Sequence, residues 1–145
     1  MTGNVDFQGA SKRHYRDAEL LMTNKRISNA GHLFGFAAEC GIKALLVAYG
    51  LKTDSRTGDI KENKKPYRYK THVNTLINNV QTFSSSRQYS KYLGMMPNLN
   101  SFSDWNTGHR YWNEAAIPPS HSRWCNAARE VLKMLDQAVI DGVIQ

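Results

Sequence analysis

The sequence predicts an all-α protein, an up-down bundle of four to five helices with a long basic loop between the second and third helices. Three observations carry this. Apolar residues recur at three- and four-residue intervals in the patterned segments, while strand-like alternation is nearly absent. The stretch Ser28–Gly50 is apolar or small around almost its whole circumference, as a helix enclosed by others must be. The link Lys25-Arg26-Ile27 is short enough to make the helices on either side of it pack antiparallel. At 145 residues the chain is read as one domain, 1–145, long enough to bury a real core.

The first helix is expected from about Gln8 to Asn24, with Phe7, Ala10, His14, Ala18, Leu21 and Met22 along one face. The central helix follows, with Ser28 or Asn29 placed to cap its start and Gly50 to supply a left-handed residue at its end. From Gly50 to Thr71 the chain is polar, turn-prone and basic, and reads as the long loop. A third helix is expected over His72–Val80, where Val73, Leu76, Ile77 and Val80 share a face. Ser84-Ser85-Ser86 breaks or caps it, and Arg87–Leu93 is a further short helix. Gly94 to Ile117 is irregular but aromatic, with Phe102, Trp105, Tyr111 and Trp112. Pro118-Pro119-Ser120 then opens a last helix that runs to about Asp141 and stops at Gly142.

Composition narrows the function classes. No stretch of 18 consecutive apolar residues occurs, so no membrane span is expected. Residues 1–10 lack the basic start and apolar run of a signal peptide, which points to the cytoplasm. The formal charge of +7 favours acidic partners, nucleic acid first among them. Cys40 and Cys125 lie on apolar helix faces and read as reduced, buried thiols. No metal ligand pattern, nucleophile elbow or phosphate-binding glycine loop is present, so no cofactor is expected.

The chemistry-bearing candidates are Glu39, His72, His109 and Arg110. Glu39 sits in the middle of the apolar central helix, with Lys43 one turn on. A buried carboxylate costs several kcal/mol unless it is paired, so Glu39 demands a partner. Arg110 lies in the aromatic run Trp105–Trp112 and is the expected bidentate partner, with His109 beside it. The pair either fixes the long connection onto the bundle or lines a cleft for a phosphate. His72 opens the third helix as a cap or as a proton-transfer group. In the basic segment, Lys61, Lys64, Lys65, Arg68 and Lys70 would meet phosphates while Tyr67 and Tyr69 stack on bases; the plainer reading is a solvated loop.

Taken in order, these elements resemble the HEPN domains (higher eukaryotes and prokaryotes nucleotide-binding). The matching residues are Ala18-Glu19-Leu20-Leu21 in the first helix and Ala37-Ala38-Glu39-Cys40-Gly41-Ile42-Lys43-Ala44-Leu45 in the second. The histidine opening the third helix, the Trp105 to Arg110-Tyr111 element and the alanine-rich closing helix complete the set. The resemblance implies a bundle that is frequently dimeric and a cleft associated with RNA or nucleotides. It also implies metal-independent endoribonuclease activity, in a toxin paired with a nucleotidyltransferase-like antitoxin or in antiviral defence. The family signature is an arginine followed after four to six residues by a histidine. Here the next histidine after Arg110 is His121, with ten residues between them. Arg26 and His32 have the family spacing, but at the start of the second helix, and read as coincidence. In a catalytic protein Arg110 would stabilise the phosphate, His109 or His72 would move the proton, and Glu39 would orient the arginine. The alternative is a non-catalytic module that binds a nucleotide or nucleic acid, or serves as a dimerisation adaptor; a bundle binding a small molecule is a third.

Overall fold

The structure, a computed structural model, describes residues 3–61 and 68–145. Among these residues it is all-α, as the periodicity predicts. The helices are α1 (Phe7–Thr23), α2 (Ile27–Ala48), α3 (Val73–Asn79), α4 (Arg87–Gly94) and α5 (His121–Ile140). Short 3-10 turns fill much of the remainder: Val80–Thr82, Leu99–Asp104, Thr107–Tyr111 and Glu114–Ala116.

Helix α1 starts where Asp6 accepts a hydrogen bond from the Gly9 amide at 2.9 Å. It ends with Lys25 in the left-handed region, φ 62°, while the Arg26 amide reaches back to the Leu21 carbonyl at 2.8 Å. Glycine is the usual residue in such a terminus, and a side chain there costs about 1–2 kcal/mol. The chain reverses at once into α2, which is therefore antiparallel to α1. The expected cap at Ser28 or Asn29 is not formed. The helix begins earlier, at Ile27, and no side chain caps it. Its far end behaves as the sequence indicates: Gly50 takes φ 102° and the Leu51 amide bonds the Leu46 carbonyl.

Small residues let α2 sit between α1 and α5. Ser11 of α1 donates to the Ala37 carbonyl at 2.7 Å, and a Cβ at Gly41 would lie 2.3 Å from Val131 of α5. Only glycine permits that approach. Helix α2 is long and apolar enough to cross a membrane, but most of it is buried inside the bundle, which by itself accounts for its composition. Leu45, Leu76, Tyr89, Trp105, Trp124 and Leu135 are among the fully buried residues of a core that draws on all five helices.

The loop after α2 differs from expectation in its first part. Thr53 and Ile60 form an isolated antiparallel bridge, Ile60 is buried, and the Val5 amide bonds the Thr57 carbonyl at 3.0 Å. Asp54 holds the turn by accepting from the Arg56 and Thr57 amides. The segment is thus a folded hairpin-like turn pinned to the N-terminus. Lys64, Lys65 and Tyr67 lie outside the described residues.

Candidate functional site

Glu39 has its partners, and Arg110 is not one of them. One carboxylate oxygen accepts from Lys43 Nζ at 3.1 Å, one turn along the same helix. The other accepts from the Val73 amide at 2.9 Å and lies 3.1 Å from His72 Nδ1. Glu39 and Lys43 are both buried, so the pair neutralises two charges that neither could carry alone. The carboxylate also takes the place of a cap for α3, on its first amide, where the helix dipole favours negative charge. His72 occupies the cap position but makes no capping bond. Its imidazole is half-exposed and held by Glu39 through one ring nitrogen.

Arg110 is exposed, its guanidinium lying 5.0 Å from the Tyr111 ring centre. The Glu39–Arg110 pairing is therefore corrected. An i, i+4 lysine on the same helix reaches Glu39 without any long-range closure, and it fills the site first.

An aromatic hub lies one turn towards the start of α2. Phe36 touches His32 (5.0 Å), Trp105 (5.2 Å), His14 (6.0 Å) and His72 (6.3 Å), measured between ring centres. Trp105 stacks on His32 at 5.1 Å and donates its indole N–H to the His32 carbonyl at 3.2 Å. A Cβ at Gly35 would lie 2.0 Å from that indole nitrogen, so the ring rests directly on the helix backbone. His109 is buried between Trp112 (4.6 Å) and Trp124 (5.9 Å). Asp104 secures this end of α5 by accepting from Ser120, Arg123 and the Trp124 indole.

His32, His109, Arg110 and Trp112 line one cavity of about 100 Å³, together with Ser28 and Asn29 from the first turn of α2. Two neighbouring cavities share Ser28 and Glu114 with it. One, of about 360 Å³, adds Lys25 and Arg26; the other, of about 220 Å³, adds His121 and Pro118-Pro119. A groove so crosses the start of α2, with cations along it and Glu114 as its single acidic lining residue among those described.

His32 is the residue the sequence reading set aside. Both its ring nitrogens, and Nδ1 of His109, are buried without a hydrogen-bond partner among the described residues. Burial, reinforced by Arg110, His109 and His72, holds His32 down to about 4. Burial likewise lowers His109 and His14. Each of the three binds a proton less readily in the folded chain than in the unfolded one. Between pH 6.5 and about 4 the unfolded chain therefore binds protons that the folded one refuses, and stability falls as pH falls. Asp141, held near 2 by Tyr92, Lys91 and Gln137, adds to the loss at the lower end of that window, where the unfolded carboxylate begins to protonate and the folded one does not. The melting temperature is expected to drop through this range, and His32→Phe to flatten the drop; a melting temperature unchanged from pH 6.5 to 4 contradicts the assignment.

The basic segment contributes less than its composition promised. Tyr69 is buried, edge-on to Phe83 and bonded to Thr82, so its ring is not open to a base. Lys70 lies 3.6 Å from Asp59, while Lys61 and Arg68 are exposed. Both thiols are half-buried rather than fully buried and free of a disulfide, with Cys40 pushed up to about 11 by burial.

Comparison of the chain with protein-family models, with curated proteins and with solved structures finds no match.

Proposed function

We propose that this chain binds RNA in the groove across the start of α2 and cleaves it without a metal ion. The observation that carries the reading is the convergence of His32, His109 and Arg110 on one cavity, with His72 close enough to influence His32. A neutral imidazole takes the proton of an attacking 2′-hydroxyl while its oxygen forms a bond to phosphorus. The bond to the 5′-oxygen breaks, and a second imidazole, protonated, returns a proton to that leaving oxygen. Arg110 stabilises the charge that develops on the phosphate. His109 or His72 moves the proton, and Glu39 acts as a positioning residue by fixing the His72 ring rather than by orienting Arg110. The HEPN resemblance supports the same reading. On this reading the chain is a cytoplasmic homodimer of a toxin–antitoxin or antiviral defence system, with a nucleotidyltransferase-like antitoxin as partner.

One observation favours a second reading, a module that binds RNA or a nucleotide without cutting it. His32 and His109 both resist protonation, so neither is suited to supply the proton a leaving group needs. A cleavage assay on mixed RNA in EDTA separates the two. Arg110→Ala removes an exposed side chain and is expected to leave the fold intact while lowering cleavage by about 10²–10³-fold. A folded wild type that binds RNA but does not cut it establishes the second reading.

A further inference from the structure

We infer that Tyr111 and Trp112 form a stacking platform for unpaired bases of an RNA strand at the edge of the groove. The inference rests on the reading above and names the part of the RNA that this face takes.

Tyr111 and Trp112 are the two aromatic side chains that stand exposed among the described residues, Tyr111 by 80% and Trp112 by 47%. Trp105 and Trp124, by contrast, are fully buried. Aromatic rings gain more from burial than most side chains, so two in succession facing water mark a surface that a partner covers.

The turn that carries them is fixed to the core. Asn106 accepts from the Gly108 amide at 2.7 Å, and the Trp112 amide closes the turn on the His109 carbonyl at 3.1 Å. Buried His109 lies 4.6 Å from the Trp112 ring and 5.9 Å from that of Trp124, whose indole N–H is held by Ser101 and Asp104. Trp112 is thus braced on one side and open on the other. A ring held in place before its ligand arrives loses little rotamer freedom on contact. The Tyr111 ring is backed in the same way by the Arg110 guanidinium, 5.0 Å from its centre.

What surrounds the rings decides the occupant. Arg110 also lines the cavity that Trp112 borders, and Lys25 and Arg26 line the next one, against a single described carboxylate, Glu114. A second copy of this chain, itself carrying +7, would bring like charge to this face. Asn106, Asn113 and Glu114 beside the rings are exposed and polar, so the rings do not extend into the aliphatic surface that a lipid or an apolar helix needs. An occupant with flat π faces joined by negative charges satisfies the rings and the cations together, and a nucleic-acid strand has that chemistry. Within a duplex each base is already stacked between its neighbours, so the strand must offer unpaired bases.

The test is binding of the full chain to labelled oligoadenylate, to oligouridylate, and to the duplex the two form, read by fluorescence anisotropy and by tryptophan emission. The strands carry 2′-O-methyl sugars, which have no hydroxyl to attack phosphorus. Both single strands are expected to bind more tightly than the duplex, and to quench the emission of Trp112, the exposed tryptophan. Tyr111→Ala is expected to keep the melting temperature and weaken single-strand binding by about 5- to 150-fold, the range for losing one base–aromatic stack. Trp112→Phe keeps a ring on His109; it should abolish the quenching and weaken binding less than Trp112→Leu does. Unchanged single-strand affinity in folded Tyr111→Ala and Trp112→Leu overturns the inference. So does a duplex bound as tightly as the strands. A dimer that these two variants dissociate, with strand affinity unchanged, gives the face to a second copy and overturns it as well. RNA binding that persists in any of these cases leaves the proposed function standing; a wild type that binds no RNA removes both.

Discussion

Glu39→Ala is expected to destabilise the protein by about 3–5 kcal/mol, the loss typical of breaking a buried ion pair from one side. Two consequences add in the same direction. The Lys43 ammonium, 8% exposed, stays in the core without its counter-charge. The Val73 amide loses its acceptor at the start of α3, and the His72 ring loses its anchor. Since a domain of this size has about 5–15 kcal/mol of stability, the change removes a large part of it. Urea unfolding measures it. Glu39→Gln keeps an acceptor for Val73 and should cost less than alanine. The double variant Glu39→Leu/Lys43→Leu should recover much of the loss, because no unpaired charge remains. A single-variant loss below about 1 kcal/mol would show that the pair is solvated and not buried.

Trp105→Ala is expected to cost about 3–5 kcal/mol, as truncating a buried tryptophan does. The ring is 1% exposed and lies against Gly35, which has no side chain to fill the space it leaves on the helix side. The variant has a readout that a general loss of packing does not move. Trp105 covers His32, and burial is the largest cause of the low His32 value. With the indole gone, the His32 titration should move from about 4 back towards 6.5. Trp105→Phe should keep most of the packing but lose the hydrogen bond to the His32 carbonyl. A His32 titration that stays low in Trp105→Ala would assign the shift to Arg110 and the neighbouring histidines instead.

The two variants meet different parts of what the sequence makes visible. That Glu39 must be paired is legible from the chain alone, because a carboxylate in the middle of an apolar helix has no other way to persist. The identity of the partner is not legible. Lys43 lies one turn on, within local reach, while Val73 and His72 arrive through a chain reversal more than 30 residues later. Arg110 looked equally able to close that distance. His109 and Arg110 were legible as neighbours in an aromatic run; that one would be buried between two tryptophans and the other exposed was not. His32 carried no signal that periodicity could detect, since a histidine near the start of a buried helix is ordinarily part of its packing.

The sequence by itself determined the helices, their order and the antiparallel turn between α1 and α2. Those depend on side-chain periodicity, on end signals such as Gly50 and Gly142, and on linker length, all of which act within a few residues. It also determined that a charge in α2 would need a partner. Only the tertiary structure decided which groups share a cavity. The Trp105 indole bonds the His32 carbonyl 73 residues away, and the 3-10 turns that carry His109 and Glu114 fold back onto the start of α2. Contacts of that range are set by how the whole core packs around Gly35 and Gly41, where the absence of a side chain leaves room that no local pattern records.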